Sequence, residues 1–162
     1  MKPEHEQPIQ LVGGVITVSS SRDSQTDTSG KAIKEYFIQN NIPLGYYGIV
    51  TDNIGAIRAE LIQALQECNF VVVNGGTGLT HDDCTIEAIS PILEKKIDGF
   101  GELFRIKSYE EIGTSAMLSR AIAGISGRKA IFCIPGSTGA VSLAMKTFII
   151  PEIRHILSHA NR

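Results

Sequence analysis

The chain has 162 residues, of which 43% are hydrophobic and 20% are charged, and its formal net charge is −2. This length and composition fit one globular domain with a sizeable core. The near-neutral charge provides no basic surface of the kind that binds nucleic acid or anionic lipid, so we expect neither partner. No apolar run approaches the roughly 20 residues that a membrane-spanning helix needs.

The three cysteines, Cys68, Cys84 and Cys133, share no metal-ligand spacing, and their odd number argues against a disulfide framework. This pattern is typical of a reducing compartment. Residues 1–10 contain charges and two prolines but no apolar core, so we do not expect a secretory signal there. We therefore predict a cytoplasmic protein with a flexible tail over residues 1–10 and one domain over residues 11–162.

Apolar runs alternate with segments of helical periodicity along the first half of the chain. Residues 11–20 and 44–50 are apolar enough for buried strands, and each is followed by apolar residues at helical spacing, over 32–37 and 54–65. A third apolar run, at 70–73, is rich in valine. Strands that alternate with helices predict an α/β fold whose mostly parallel sheet is covered on both faces.

The second half of the chain continues this alternation. A helix is predicted over 86–93, and short strands at 121–125 and 129–134 are joined by a Ser-Gly-Arg loop, which favours a hairpin and an antiparallel edge strand. Helical spacing returns over 141–157, where a proline opens a second helical turn. Residues 99–118 mix glycine, aromatic and charged residues, and we predict short helices over a cleft there.

The stretch Asn74-Gly75-Gly76-Thr77-Gly78 follows the third predicted strand and precedes a helix. Glycine permits positive φ angles and close approach of a ligand, and the N–H groups of the next helix favour an anion such as phosphate. Ligands of open α/β sheets bind at the carboxyl ends of strands, where this turn lies. The alternative is an ordinary tight turn. No P-loop occurs, and His81 stands where a dinucleotide-binding fingerprint needs its third glycine.

Two aspartates follow predicted strands closely. Asp83 is either part of a capping box with Thr80 or a hard oxygen ligand for magnesium beside phosphates. Asp52 is either a helix N-cap or a second ligand of the same ion. Because the carboxyl ends of parallel strands meet at one rim, both carboxylates can face one cleft.

Two further segments are expected at the same rim. Asp27-Thr28-Ser29-Gly30 precedes the first helix, and Pro135-Gly136-Ser137-Thr138-Gly139 follows the last strand. The second segment is a candidate anion site, or a Pro-Gly turn capped by Ser137 or Thr138. A surface ion pair is the default interpretation of Arg120. No Ser-His-Asp or Cys-His arrangement is visible, so the sequence offers no nucleophile for covalent catalysis.

Taken in order, these segments resemble the MoaB/MogA family of molybdenum-cofactor biosynthesis proteins, which includes the G domain of gephyrin. The resemblance runs from Leu11 to the last helix and rests on the following motifs: Thr17-Val18-Ser19, Asp27-Thr28-Ser29-Gly30, Asp52, Asn74-Gly75-Gly76-Thr77-Gly78-Leu79-Thr80, Asp83, Thr85, Glu87-Ala88, Gly99-Phe100-Gly101-Glu102, Met117-Leu118-Ser119-Arg120-Ala121, Ala123-Gly124 and Pro135-Gly136-Ser137. The Gly-Phe-Gly-Glu segment and the Pro-Gly-Ser ending are closer to the MoaB branch.

The resemblance implies a three-layer α/β/α fold, a homotrimer or a dimer of trimers, and transfer of an adenylyl group from magnesium-ATP to molybdopterin. A molybdate-insertion enzyme is the implied recipient of the product. By matched position, the resemblance assigns magnesium to Asp52 and Asp83. It assigns the nucleotide and its phosphates to Gly75, Gly76, Thr77 and Gly78, supported by Ser19, Asp27 and Ser29. It assigns molybdopterin to Ser119, Arg120, Gly136 and Ser137.

One departure from the family pattern concerns charge. Many relatives carry Pro-Arg or Arg-Arg directly before the acid matched by Asp83, whereas this chain has His81-Asp82. A missing cation is expected to weaken phosphate binding, and an added acid to alter metal binding. This departure leaves a non-catalytic molybdopterin-binding protein as an alternative. A further alternative is a nucleotide pyrophosphatase like the related domain of CinA-type proteins. For assembly, the glycine-flanked aromatics predict that Phe100 or Phe104 contacts a second chain.

Overall fold

Six strands form one sheet at the centre of the computed structural model, which describes residues 8–162. The strands are β1 (Gly13–Val18), β2 (Leu44–Val50), β3 (Phe70–Asn74), β4 (Lys95–Lys96), β5 (Ile122–Ser126) and β6 (Lys129–Ile134), in the order β2-β1-β3-β6-β5-β4. The four strands β2, β1, β3 and β6 are parallel, whereas β5 is antiparallel to both β6 and β4. The mostly parallel sheet and the hairpin are confirmed. The two-residue strand β4 was not predicted. Because β4 occupies the edge, the prediction of an antiparallel edge strand is wrong, and the antiparallel strand β5 lies inside the sheet.

Helices cover both faces of the sheet. They are α1 (Thr28–Gln39), α2 (Ile54–Glu67), α3 (Thr85–Ile89), α4 (Asp98–Ile112), α5 (Thr138–Leu143) and α6 (Ile150–Ala160). Adjacent strand residues point to opposite faces, so Val72 packs in one apolar cluster with α1, α4, α5 and α6. Val71 and Val73 pack in a second cluster with α2 and α3. The fold is therefore a three-layer α/β/α sandwich, as predicted.

The segment predicted as short helices over 99–118 is instead one 15-residue helix, α4, followed by a 3₁₀ turn over Gly113–Leu118. A Cβ on Gly101 would lie 2.6 Å from the carbonyl oxygen of Ala121, so glycine lets α4 approach the chain before β5. Gly113 ends the helix with φ +72°. The weak periodicity misled the prediction because both faces of this helix carry apolar residues.

The prediction that Phe100 or Phe104 contacts a second chain is wrong in its residues. Both rings are buried within their own subunit, with exposed fractions of 6% and 1%. Phe100 packs edge-to-face on Phe132 and Phe148, with ring centroids 5.4 and 6.1 Å apart. The large apolar side chains that α4 leaves exposed are different ones, including Leu103 at 52% and Ile106 at 58%.

At the carboxyl end of the chain, α5 and α6 are joined without a break by a π-helical segment, Ala144–Ile149. Pro151 lies in the first turn of α6, as predicted. Because proline has no N–H, it cannot donate to the preceding helical turn, and the wider π turn accommodates this interruption of the hydrogen-bond ladder.

At the amino end, residues 1–7 of the predicted tail lie outside the described residues. Ile9 packs against the core, and the Gln10 carbonyl accepts a hydrogen bond from the Asn69 side chain at 2.8 Å, so contacts with the domain begin before Leu11. Within residues 8–162, no helix is both long and apolar enough to span a bilayer. The cytoplasmic location stays a prediction.

Candidate active site

The loops that follow β2, β1, β3 and β6 lie side by side at one rim of the sheet. The strand register places Val18 beside Val50 and Thr17 beside Asn74, and Asn74 beside Ile134. All four predicted segments therefore begin at neighbouring strand ends, as the parallel arrangement requires.

The glycine turn after β3 depends on left-handed backbone angles. Gly75 and Gly76 have φ angles of +96° and +70°, and a Cβ on either would clash, with Val18 and Thr85 respectively. Thr85 closes the turn, because its N–H donates to the Gly76 carbonyl at 3.0 Å and its hydroxyl donates to the Gly75 carbonyl at 2.8 Å. The first two glycines are thus required by the backbone itself. Gly78 differs, since its φ is not positive and a Cβ there would lie 2.7 Å from the Asp83 carboxylate.

A buried hydrogen-bond network lies beneath the rim and is centred on Asp27, which is 3% exposed. Its carboxylate accepts hydrogen bonds from the Thr17 hydroxyl at 2.8 Å, the Tyr47 hydroxyl at 2.6 Å and the Gly30 N–H at 3.0 Å. The last of these caps α1, as the capping alternative predicted. Asp27 therefore fixes the start of α1 against β1 and β2.

Ser29 and Asn74 extend this network to the glycine turn. The Ser29 hydroxyl donates to Asn74 Oδ1 at 2.7 Å, and Asn74 Nδ2 donates to the Thr17 hydroxyl at 3.0 Å and to the Ile16 carbonyl at 3.2 Å. Desolvation by burial, followed by the hydrogen bond to Asp27, raises the pKa of the Tyr47 phenol, so it remains a neutral donor. Asn74 was recognisable from its position before the glycines, whereas Tyr47 had no signal that distinguished it from Tyr46.

Neither Asp83 nor Asp52 caps a helix, so the capping alternatives are wrong for both. Asp83 Oδ2 accepts from the Thr80 N–H at 3.1 Å and the Thr80 hydroxyl at 2.9 Å, but α3 begins only at Thr85. The N-cap of α2 is Asn53, while Asp52 Oδ2 accepts from the Ser20 hydroxyl at 2.8 Å. Both carboxylates are partly exposed and keep lone pairs for a ligand.

Asp52 and Asp83 both act electrostatically on the thiol of Cys84, the residue that directly follows Asp83. Burial raises the pKa of the Cys84 thiol, and the charges of Asp52, Glu87, Asp83 and Asp82 raise it further. In the part of the chain that the structure describes, no group of three or more acidic, histidine or cysteine side chains is arranged to hold a metal. Two carboxylate oxygens still fit magnesium, which takes one or two protein carboxylates and completes its shell with water and substrate phosphates.

Arg120 holds the glycine turn from the side of the β5 strand. Its Nε and Nη2 donate to the Gly78 carbonyl at 3.1 and 2.8 Å, and its Nη1 and Nη2 pair with the Glu87 carboxylate at 2.5 and 3.0 Å. The hydrogen bond from Arg120 lowers the pKa of Glu87 and in turn raises the pKa of Arg120. The predicted surface ion pair exists, and it also clamps the turn. Glu87 was missed as a site residue, although it stands in a motif.

A cavity of about 360 Å³ opens beside the turn. It brings together Gly76, Thr77, Gly78, Asp83, Ser119, Gly136 and Ser137 from the predicted set, and its walls include Phe104, Ser108, Ile112, Leu118, Pro135 and Ala140. The other predicted residues do not line it: Gly75, Arg120, Asp52, Ser19, Asp27 and Ser29. Of these, the last four lie on the β1 and β2 side of the turn. Ser137 also caps α5, with the Ala140 N–H donating to its hydroxyl at 3.2 Å.

The His81-Asp82 pair that departs from the family pattern is fully accessible. The side chains are 103% and 87% exposed, and His81 Nδ1 lies 3.6 Å from an Asp82 carboxylate oxygen. No lysine or arginine stands among the described residues that line the cavity. Asp83 is the one charged residue in this described lining, and neither His81 nor Asp82 belongs to it.

Comparison with known proteins agrees with this geometry. A family model described as a probable molybdopterin binding domain matches residues 14–155. Molybdenum cofactor biosynthesis protein B of Staphylococcus carnosus is 48% identical over 147 residues, which cover 88% of this chain and 86% of that protein.

Solved structures give the same result. A crystal structure of a molybdenum cofactor biosynthesis protein B superposes with a TM-score of 0.92 at 44% identity, covering 96% of this chain and 99% of the other. The tungsten cofactor synthesizing protein MoaB from Pyrococcus furiosus gives a TM-score of 0.87 at 38% identity, with coverage of 96% and 100%. The chain therefore belongs to the MoaB/MogA family of molybdenum cofactor biosynthesis proteins.

Proposed function

We propose that the protein acts in molybdenum cofactor biosynthesis by transferring the adenylyl group of magnesium-ATP to molybdopterin. The observation that carries this proposal is the pair of accessible carboxylates, Asp52 and Asp83, on either side of a glycine turn that borders a cavity. Helix-capping roles do not account for either acid, and the family to which the chain belongs is described as molybdopterin-binding.

The reaction needs positioning and charge neutralisation rather than a protein nucleophile. An oxygen of the terminal phosphate of molybdopterin bonds to the α-phosphorus of ATP as the bond from that phosphorus to the bridging oxygen breaks. The electron pair leaves with pyrophosphate. Magnesium, when held by Asp52 and Asp83, supplies the Lewis acidity that offsets phosphate charge. The absence of a Ser-His-Asp or Cys-His arrangement among the motifs agrees with this scheme.

The chain's own residues divide between the two substrates. The N–H groups of Gly75, Gly76, Thr77 and Gly78 bind nucleotide phosphates, and the network of Asp27 and Ser29 holds that turn, with Ser19 shaping the adjacent loop. Ser119, before β5, and Gly136 and Ser137, after β6, line the cavity and contact the pterin and its phosphate. Arg120 contributes by clamping the turn, because any contact of its guanidinium with the pterin phosphate competes with its bonds to Gly78 and Glu87.

The decisive experiment incubates the purified protein with molybdopterin, ATP and magnesium and detects adenylylated molybdopterin by mass spectrometry. Turnover in the wild type, and its loss without magnesium, supports the transferase. Loss of ATP without pterin supports a nucleotide pyrophosphatase instead. The product, if formed, is the substrate expected by a molybdate-insertion enzyme.

A second candidate is a non-catalytic molybdopterin-binding protein. The observation that favours it is the lack of a lysine or arginine among the described lining residues, together with the added acid Asp82. Tight molybdopterin binding without turnover in the same experiment supports this candidate and rejects the transferase.

We also propose that the protein is a homo-oligomer, a trimer or a dimer of trimers. The support is the apolar outer face of α4 and the turn after it, where Leu103, Ile106, Tyr109, Ile112 and Leu118 are each more than half exposed. Ile106→Glu should dissociate the assembly. Ile38→Glu, at an isoleucine on α1 that is 74% exposed, is the matched control. Light scattering that gives a monomer at all concentrations contradicts the proposal.

A further inference from the structure

The proposed reaction brings two phosphate-bearing substrates to a cavity whose described lining contains Asp83 and no cation. Such a site needs positive charge from outside the cavity wall, beyond what one magnesium ion supplies. Among the described residues, Arg22 on the loop after β1 and Arg120 before β5 lie at the rim. Their hydrogen bonds show which of them can face a phosphate.

The N–H groups of Arg120 already donate to acceptors within the protein. Four hydrogen bonds tie its Nε, Nη1 and Nη2 atoms to the Gly78 carbonyl and to both carboxylate oxygens of Glu87, and a fifth joins Nε to the Thr77 carbonyl at 3.3 Å. The charge of this guanidinium is neutralised by Glu87. Arg120 therefore serves the turn and adds little net charge to the site.

Arg22 is held in place by one edge of its guanidinium. Its Nη1 donates to the Ser29 hydroxyl at 2.7 Å, and the side chain is 35% exposed. Its ion pair with the Asp27 carboxylate is long, at 4.0 Å, whereas Arg120 pairs with Glu87 at 2.5 and 3.0 Å. The loop itself is ordered, since the Ser19 hydroxyl accepts from the Ser21 and Arg22 N–H groups at 3.3 and 3.1 Å. Within residues 8–162, the structure shows no hydrogen bond from Nε or Nη2 of Arg22. The guanidinium of Arg22 is thus held in one orientation, and its Nε and Nη2 N–H groups can still donate to a ligand.

The position of Arg22 assigns it to one substrate. Ser29, its anchor, also donates to Asn74, which directly precedes Gly75, so the guanidinium lies two hydrogen bonds from the glycine turn. It stands on the β1 loop, beside the loop of Asp52, because the Ser20 hydroxyl of the same loop bonds to Asp52 at 2.8 Å. The loop of Gly136 lies on the opposite side of the turn, after β6. Arg22 therefore belongs to the nucleotide side of the site.

We propose that Arg22 binds the β- and γ-phosphates of the nucleotide and so supplies the cation that the His81-Asp82 segment lacks. This inference rests on the proposed function. A guanidinium can donate two parallel hydrogen bonds to a phosphate, and these bonds strengthen as charge moves onto the departing pyrophosphate. Arg22 then discriminates nucleoside triphosphates from monophosphates, which present no β- or γ-phosphate to it.

The test measures binding of a non-hydrolysable magnesium-ATP analogue, AMP and inorganic tripolyphosphate by titration calorimetry. Arg22→Gln keeps a donor for Ser29 but removes the charge, and it should weaken binding of the analogue and of tripolyphosphate by about tenfold to a hundredfold. AMP binding should change less than threefold. Arg22→Lys should recover part of the loss, because it restores charge without the fork. Arg154→Gln, at an exposed arginine on α6, is the matched control and should leave all three affinities unchanged.

The outcomes separate this inference from the proposed reaction. The role of Arg22 is overturned if Arg22→Gln binds the analogue with wild-type affinity, or if it loses affinity equally for AMP and the analogue. Neither result contradicts the transferase reaction. Selective loss of triphosphate binding in a protein that never adenylylates molybdopterin keeps the Arg22 site and rejects the transferase. A wild type that binds neither nucleotide nor tripolyphosphate overturns both. The role of Arg22 is also overturned if Arg22→Gln has a lowered melting temperature together with weakened AMP binding.

Discussion

The carboxylates at the rim fall into two regions with different chemistry. Beneath the surface, Asp27 is 3% exposed and accepts hydrogen bonds from three elements of the fold. On the surface, Asp52 and Asp83 are partly exposed. Asp52 accepts from Ser20 of the neighbouring loop, and Asp83 accepts only from Thr80 of its own loop. A buried and satisfied acid stabilises the scaffold, whereas an accessible acid with spare lone pairs can bind a ligand. Substitution of an aspartate should therefore lower stability when the residue is buried and lower ligand binding when it is accessible.

The largest expected effect comes from removing the accessible acids. If Asp52 and Asp83 jointly hold magnesium, Asp52→Asn and Asp83→Asn should each lower the rate of adenylylation by about a thousandfold, since several kcal/mol of charge stabilisation is lost. The melting temperature should hardly change, because neither side chain caps a helix. Product formation measured by mass spectrometry tests this.

Asp98→Asn is a matched control for these two variants, because it removes an exposed acid in the first turn of α4, outside the cavity. Near-normal turnover in either rim variant, with Asp98→Asn also active, means that the metal assignment is incorrect for that acid.

A smaller effect is expected from moving an accessible acid without removing it. A Cβ at Gly78 would lie 2.7 Å from Asp83 Oδ2, and Gly78 needs no left-handed backbone angle. Gly78→Ala should therefore displace the carboxylate rather than unfold the turn, and a misplacement of about 1 Å can cost about a hundredfold in rate. Turnover and the melting temperature should be measured together.

Gly99→Ala is the control, since a Cβ at Gly99 meets nothing within 4 Å. Unchanged turnover in Gly78→Ala would show that the position of Asp83 does not matter to the reaction. A large fall in melting temperature would place Gly78 with Gly75 and Gly76, as a structural glycine.

A substitution in the buried network should lower the stability of the folded protein. Asp27→Asn puts an amide donor where Thr17, Tyr47 and Gly30 donate, so part of the network loses its acceptor. We expect a loss of about 2 kcal/mol in the free energy of unfolding, or roughly 4–8 °C in melting temperature. Calorimetry measures both quantities. A normal melting temperature combined with abolished turnover would mean that Asp27 acts on the reaction rather than on the scaffold.

How far the sequence predicts this site depends on the range of the interactions involved. The rim, its glycines and the two accessible acids follow from local patterns, because a buried strand, a turn and a helix are encoded by neighbouring residues. The network does not, since Tyr47 reaches Asp27 across 20 positions and Asn74 reaches Ser29 across 45. Such pairings depend on strand order, which the periodicity alone does not determine.

The same limit explains the errors on α4 and on the capping acids. Periodicity could not show which apolar face of α4 packs inward, so Phe100 and Phe104 were assigned to an interface that Leu103 and Ile106 are better placed to form. Thr80 and Asp83 have the spacing of a capping box, yet the chain remains a turn until Thr85. Spacing predicts which side chains are in reach and leaves the backbone between them undetermined.

The smallest expected effect concerns the pH dependence of the clamp on the glycine turn. The Arg120 guanidinium holds the pKa of Glu87 below its ordinary value in the folded chain. A depressed folded-state pKa stabilises the protein above the unfolded pKa, and this stabilisation is lost as the pH falls through the folded value. Glu87 is 43% exposed, so solvent screening limits the contribution to about 0.2–1 kcal/mol.

Between pH 6 and pH 3.5 the wild type should therefore lose slightly more stability than Glu87→Gln, measured by urea unfolding at each pH. Parallel pH profiles of the two proteins would show that the ion pair adds nothing to the charge-independent hydrogen bonds from Arg120 to the turn.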